Sequence, residues 1–377
     1  MDWITQAALG ALIGELMMRK RLGDRAMAWG AFFGLLPGLD VVFFPLLDTA
    51  RQLAWHRGPS HSLVGMALGS WGMAHGLAKL WKREKISKAE AGAFVFAVWW
   101  AHVLVACFTV EGAALLWPVM DRRVAFNFLS QPDFLFTGPL VVAALRLAFL
   151  KESGVKKNRT KKQAPVSKRR KLCLWGLGLS AGYALLAVAM KFVASAGFDA
   201  DLARRGTKFE RRMEAPTPFN ILLWRGVVDR GTEFWVGYRS VFESRETPVR
   251  WTVYLKGTDS LAKVAEMRVT KTLTRVTDNW WIARPHAKGA WLGDLRFPES
   301  RVWGSKKGMV DSRLAFSWVI DSTASRDSLR AIHTDGSSAD ALQRMGARIF
   351  ENRETWEANP RLAGVAGSLP EFLPVEE

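Results

Sequence analysis

The apolar residues of this chain are concentrated in its first half, and that unevenness constrains the fold more than any motif does. Six apolar stretches, about 3–18, 26–47, 61–81, 90–117, 134–150 and 172–197, lie in the first 198 of 377 residues. A lone segment in lipid must satisfy its own backbone N–H and C=O groups, so such stretches predict helices rather than strands. The first and fifth are short for a hydrocarbon core of ~30 Å. The remainder reads as ordinary mixed sequence with strand-like runs: FWVGYRSVF (234–242), RWTVYL (250–255), NWWIA (279–283) and RLAFSWVI (313–320). Their aromatic and β-branched residues favour strands, and SSADALQRMGARIFENRETW (337–356) predicts a helix. The expected architecture is an α-helical multi-pass membrane bundle of about six helices over residues 1–198. A small β-rich α+β extramembrane domain follows over 199–377.

Charge supports this division. Of the net +18, residues 1–198 carry +14 (25 Lys and Arg against 11 Asp and Glu) and residues 199–377 carry +4 (28 against 24). Positive charge beside apolar spans fits membrane topology rather than nucleic-acid binding, which is not expected. The basic residues fall in alternate loops: Arg19, Lys20, Arg21 and Arg25; then Lys82, Arg83, Lys85 and Lys88; then ten within 151–171. By the positive-inside rule these loops are cytoplasmic. Residues 48–60, 118–133 and the tail after about 198 are then extracytoplasmic. The 151–171 run reads chiefly as a topological determinant, with a tether or anionic-lipid contact as the alternative. The positive cluster follows the first apolar run, which suits a helix with its N-terminus outside rather than a cleavable signal. Two distant cysteines, Cys107 and Cys173, make no disulfide framework.

Ionisable residues inside membrane helices are costly and mark functional sites. Asp40 lies within the second apolar stretch, and the loop WHRGPSHS (55–62) brings His56 and His61 close behind it. His102 lies in the fourth stretch and Asp133 at the entrance to the fifth. In the expected topology all five belong to the outer half of the membrane. Carboxylates and imidazoles suit zinc or a similar divalent ion, while Arg57 could hold an anionic oxygen. The competing readings are interfacial capping histidines and, for Asp40, an intramembrane ion pair or proton site. His75, His286 and His333 read as structural or surface residues.

Several of these segments, taken in order, resemble the YdjM-like membrane-bound metal-dependent hydrolases of bacterial inner membranes. LLPGLD (35–40) is similar to the family's Pro-Asp-x-Asp, and HRGPSHS (56–62) to its His-Arg-Gly-x-Thr/Ser-His-Ser. AHVLVACFTVEGAALLWP (101–118) resembles a His-x3-Asp-x2-Thr-x2-Gly helix ending in Leu-Trp-Pro, and DFLFTGPL (133–140) an Asp-Pro-Leu-Phe-Thr-x-Pro-Leu segment. PTPFNILLWRGVV (216–228) and LGDLRF (292–297) also resemble family motifs. The resemblance implies metal ligands at Asp40, His56, His61 and His102, with zinc the expected divalent ion. Asp133 would be a further ligand or general base, and Arg57 would stabilise developing negative charge. The implied activity is hydrolysis of a lipid ester or phosphoester at the outer face of the inner membrane, with membrane lipids as partners. Three positions depart from the pattern: Gln6 stands where the family places His, and Gly38 and Ala106 stand where it places Asp. These departures leave open a single metal, weak binding, or a catalytically degenerate scaffold with a partner-binding outer domain. A transporter using Asp40 and His102 is disfavoured, because the polar residues do not form a path across the membrane.

Overall fold

A computed structural model describes residues 2–130, 132–150, 168–303, 309–323, 328–333, 339–353, 355–356, 359–362 and 371–372. Most of the basic run, 151–167, lies outside the described residues. The chain divides into two compact units. One comprises residues 1–43, 55–126 and 131–186; the other comprises 44–54, 127–130 and 187–377.

The first unit is helical. α1 (Trp3–Leu22) is capped by the Asp2 side chain and α2 is Arg25–Leu35. α3 (Thr49–Trp55) belongs to the second unit up to Ala54. α4 is Leu63–Leu80, α5 Lys88–Cys107 with a Ser87/Glu90 capping box, and α6 Phe134–Phe149. α7 (Lys168–Arg204) runs on into the second unit. Three helical stretches among the described residues are long and apolar enough to cross a membrane: 25–46, 88–107 and 168–204, with 134–149 shorter.

α1 and α2 meet backbone to backbone. A methyl on Gly10 would overlap the Gly30 carbonyl, one on Gly30 the Gly10 carbonyl, one on Gly14 the Ala26 carbonyl, and one on Gly34 the Gln6 carbonyl. The small residues recur every fourth position on both helices, which is how membrane helices approach closely when burial from water offers little drive.

Two of the apolar stretches are not single α-helices. Stretch 26–47 is α-helical to Leu35 and then a 3-10 run, Leu36–Leu46. Pro37 and Pro45 lack the N–H that an α-helix interior uses and disfavour helical backbone before them. Stretch 90–117 leaves the helix after Cys107, and Gly112 adopts φ +63° where a β-carbon would lie 2.5 Å from the Val124 carbonyl oxygen. An Ala113–Val124 bridge folds this segment back.

The second unit is built from strands. β1 (Arg211–Pro216), β2 (Leu223–Asp229), β3 (Glu233–Ser240) and β4 (Trp251–Leu255) form an antiparallel sheet. α8 (Arg268–Val276) precedes β5 (Trp281–His286) and β6 (Gly289–Asp294). β7 (Glu299–Trp303), β8 (Met309–Leu314), β9 (Phe316–Asp321) and β10 (Ser328–His333) follow. α9 (Ala339–Ile349), β11 (Asn359–Leu362) and β12 (Glu371–Phe372) complete the described elements. β12 extends the first sheet beside β4; β10-β9-β6-β5 make a second; β11-β8-β7 make a third, with β11 parallel to β8. The run 313–320 is therefore split between two strands at Ala315, and the expected strand at 279 begins at Trp281, because Asp278 and Asn279 turn at positive φ. α8 buries Val269 and Leu273 against Leu261, Trp281, Leu292 and Ile320, and Ala50 from α3 joins the same core.

Candidate functional site

The polar residues of the N-terminal unit gather where its helices are interrupted. The 3-10 turn Pro59–His61 leads into α4, and Ser62 caps that helix by accepting the Gly65 N–H at 2.9 Å. This turn delivers His61, 2 % exposed, against His102 of α5, 5 % exposed. Their Nε2 atoms stand 3.2 Å apart.

Each ring is oriented from behind. His102 Nδ1 lies 2.6 Å from the Gly34 carbonyl, which can only accept, so Nδ1 carries the proton and Nε2 of the neutral ring presents a lone pair. His61 Nδ1 lies 2.9 Å from Ser60 Oγ, which can donate or accept. His61 can therefore donate from Nε2 to His102, or present a second lone pair to a cation.

Asp40 works on the loop before this turn. Its Oδ2 accepts the Arg57 backbone N–H at 2.8 Å and faces His56 Nδ1 at 3.4 Å. Its Oδ1 is buried and has no hydrogen-bond partner among the described residues. Arg57 holds φ +54°, a conformation that costs a non-glycine residue about 1 kcal/mol or more and persists only under external restraint. The restraints are visible: Asp40 takes its N–H, its carbonyl accepts from Ala114 at 3.1 Å, and its buried guanidinium pairs with Glu111 and reaches the Gly112 carbonyl at 3.4 Å. Arg123 donates to the His56 carbonyl at 2.7 Å.

A cavity of about 230 Å³ opens among these groups, lined on its polar side by Gln6, His56, Arg57, His61, His102 and Glu111. Trp3, Leu35, Gly38 and Val41 supply the remaining wall. Four of the residues expected from sequence, His56, Arg57, His61 and His102, thus face one space. Asp40 stands behind the loop rather than among the lining residues. Asp133 does not line the cavity; it caps α6 by accepting from Leu135 (3.1 Å) and Phe136 (3.2 Å), and Tyr183 donates to it at 3.0 Å. Glu111 was not singled out by sequence reasoning, although a lone acid between Val110 and Gly112 in an apolar run was a signal of the same kind as Asp40.

The donor set can be tested against a metal. Two nitrogens on a tetrahedral zinc, each at ~2.0–2.1 Å, lie roughly 3.3 Å apart, so the His61–His102 spacing fits. The backing of His102 by Gly34 is the outer-shell arrangement that orients metal-binding imidazoles. Among the described residues, however, no group of three or more His, Cys, Asp or Glu side chains is close enough to share an ion. Two of the departures noted in the sequence explain part of this. Gln6 and Gly38 both line the cavity, and a β-carbon on Gly38 would lie 3.8 Å from His102 Cε1. Ala106, the third, is fully buried one turn beyond His102.

Neither a curated protein nor a solved structure matches the chain. A family model described as YdjM inner membrane protein matches residues 1–194, over half of the chain and the whole of the region that builds this cavity, and the chain belongs to that family.

Proposed function

We propose that this inner-membrane protein is a metal-dependent hydrolase acting on an ester or phosphoester of a lipid, with His61 Nε2 and His102 Nε2 holding a single divalent ion, zinc foremost. The observation that carries the reading is the buried pair of imidazole nitrogens 3.2 Å apart. When bound, such an ion acidifies water and polarises the bond under attack. Gly34 and Ser60 orient the two rings. Asp40 fixes the His56–Arg57 turn from behind, and Glu111 holds the Arg57 guanidinium at the cavity, where a substrate anion would compete for it. Trp3, Leu35 and Val41 give the apolar part of such a substrate a dry wall. The topology belonging to this reading has six spans, with the 199–377 region outside the cytoplasm.

The test is metal content after gentle purification. About one zinc, manganese or iron per chain, lost in His61→Ala and in His102→Ala, supports the reading; a metal-free protein that takes up no zinc on titration overturns it. Reporter fusions after residues 88, 160 and 250 check the topology, and a cytoplasmic signal at 250 would reverse it.

A second reading, a catalytically degenerate scaffold whose outer domain binds a partner, is favoured by the lack of a third ligand beside the pair among the described residues. Gly38→Asp separates the two. The backbone there is not at positive φ, a β-carbon meets nothing nearer than 3.8 Å, and the position lines the cavity. An added carboxylate beside His102 should tighten zinc binding by at least about tenfold, on the scale by which even outer-shell partners alter metal affinity. Zinc binding undetectable in both proteins would mean that the pair does not hold metal.

A further inference from the structure

His61 and His102 belong to different elements, so something must set the distance between them. α5 carries Trp99 one turn before His102, and residues three apart on a helix share a face. The Trp99 indole N–H donates to the Ser60 carbonyl at 2.8 Å. The same Ser60 places its hydroxyl 2.9 Å from His61 Nδ1. The indole is seated on α4: a β-carbon at Gly69 would lie 2.5 Å from ring atoms Cη2 and Cζ3. Other bonds hold the far side of the turn, Leu63 N–H to the Leu115 carbonyl at 2.9 Å and Gly65 N–H to Ser62 Oγ at 2.9 Å.

We propose that Trp99 is the positioning residue of the imidazole pair: seated on Gly69, it ties Ser60 to α5 and so sets His61 at ligand distance from His102. One helix then supplies both a ligand and the gauge that places its partner. The proposal rests on the reading of this pair as metal ligands. Its geometric content, that Trp99 sets the attitude of the His61 ring, stands apart from that reading.

The experiment uses the full-length protein in detergent, with zinc affinity measured by chelator competition and histidine ring nitrogens observed by 15N NMR. Trp99→Phe keeps an aromatic ring and removes the donor; Gly69→Ala pushes the ring off its seat. Both should weaken zinc binding about tenfold or more, as loss of an outer-shell partner does. Both should also shift the His61 nitrogen resonances in the metal-free protein while helix content stays at the wild-type level. Wild-type affinity together with unshifted His61 signals in either folded variant overturns the proposal. If the wild-type protein takes up no zinc yet the His61 signals move in the variants, the metal reading falls and the positioning role stands. Gly69→Ala decides the matter alone should Trp99→Phe fail to fold.

Discussion

In the N-terminal unit, α1 and α2 touch through Gly10, Gly14, Gly30 and Gly34, with carbonyls of one helix against α-carbons of the other. In the C-terminal unit the largest fully buried side chains are Trp224, Trp251, Tyr254, Phe198, Phe234 and three arginines, Arg225, Arg239 and Arg348. The N-terminal unit also buries Trp81, Phe33 and Phe94 and an Arg169–Glu15 pair at 2.6 Å, so the difference lies in the backbone contact of α1 with α2. Lipid is as apolar as leucine, so helices in a membrane gain little by hiding large apolar groups from it and gain instead from close backbone contact. A strand-built unit gains chiefly by packing aromatic area between its elements. It can also bury a guanidinium where a carboxylate compensates its charge. Arg225 pairs with Glu299 at 3.0 Å and donates to the Leu295 carbonyl at 2.6 Å, and Tyr238 donates to the other Glu299 oxygen. Asp201, fully buried, accepts from Trp251 Nε1 at 2.8 Å and from the Val249 N–H at 2.9 Å.

The comparison breaks most readily at the buried ion pair. Glu299→Gln leaves Arg225, 2 % exposed at its side chain, with its charge uncompensated. Removing one partner of such a pair costs about 3–5 kcal/mol, so denaturant unfolding followed by tryptophan fluorescence should shift by that amount. A loss under about 1 kcal/mol would mean that water reaches the pair. The helix interface comes next. Gly30→Leu drives a side chain into the Gly10 carbonyl, where backbone rather than a flexible side chain must yield. Overpacking costs about 1–3 kcal/mol, and this site belongs at the upper end, read as a lower detergent-denaturation midpoint. A tolerated leucine would show that α1 and α2 are not in backbone contact.

How much of this was legible beforehand differs between the same two regions. Apolar stretches located α1, α4, α6 and α7 because helix in lipid is compulsory. They missed the breaks at Leu35 and Cys107, where Pro37, Pro45 and Gly112 act locally while hydropathy is averaged over a window. Strands β3 and β4 were read from aromatic runs, yet β1, RRMEAP, was not, because its burial comes from pairing with β2 rather than from its own composition. At the site, His56, Arg57, His61 and His102 were legible as polar residues where polarity is costly. What the sequence could not convey is direction. Asp40 turns its carboxylate to the Arg57 amide, and Asp133 caps α6, because an unpaired backbone N–H competes for a carboxylate.

Acid should separate the units by a smaller amount. Burial of Glu243 raises its pKa, but Arg348 at 3.0 Å and Arg353 at 2.9 Å outweigh it and hold the carboxyl below its ordinary value. A carboxylate depressed in the folded state contributes stability that is fully present above the unfolded pKa, about 4.3. That contribution is lost as pH falls through the lower folded value. Protection of the 239–249 amides, their exchange rate taken relative to the unfolded chain at the same pH, should therefore fall progressively below about pH 4. In Glu243→Gln that protection should already be low at neutral pH and nearly flat with acid. An acid response unchanged by that substitution would move the titrating group elsewhere.

The smallest effect tests whether glycine at the helix interface is a packing requirement or a property of the membrane segments at large. Gly72 and Gly76 lie within α4 with nothing inside 4 Å of where a β-carbon would stand. There glycine only adds backbone freedom to the unfolded chain, so Gly72→Ala should stabilise the helix by about 0.5–1 kcal/mol. The same substitution at Gly14 should destabilise, since its methyl would overlap the Ala26 carbonyl. Opposite signs at the two positions, measured as detergent-denaturation midpoints on the full chain, are the expected outcome. If both substitutions stabilise, the close approach of α1 to α2 is not what those glycines are for.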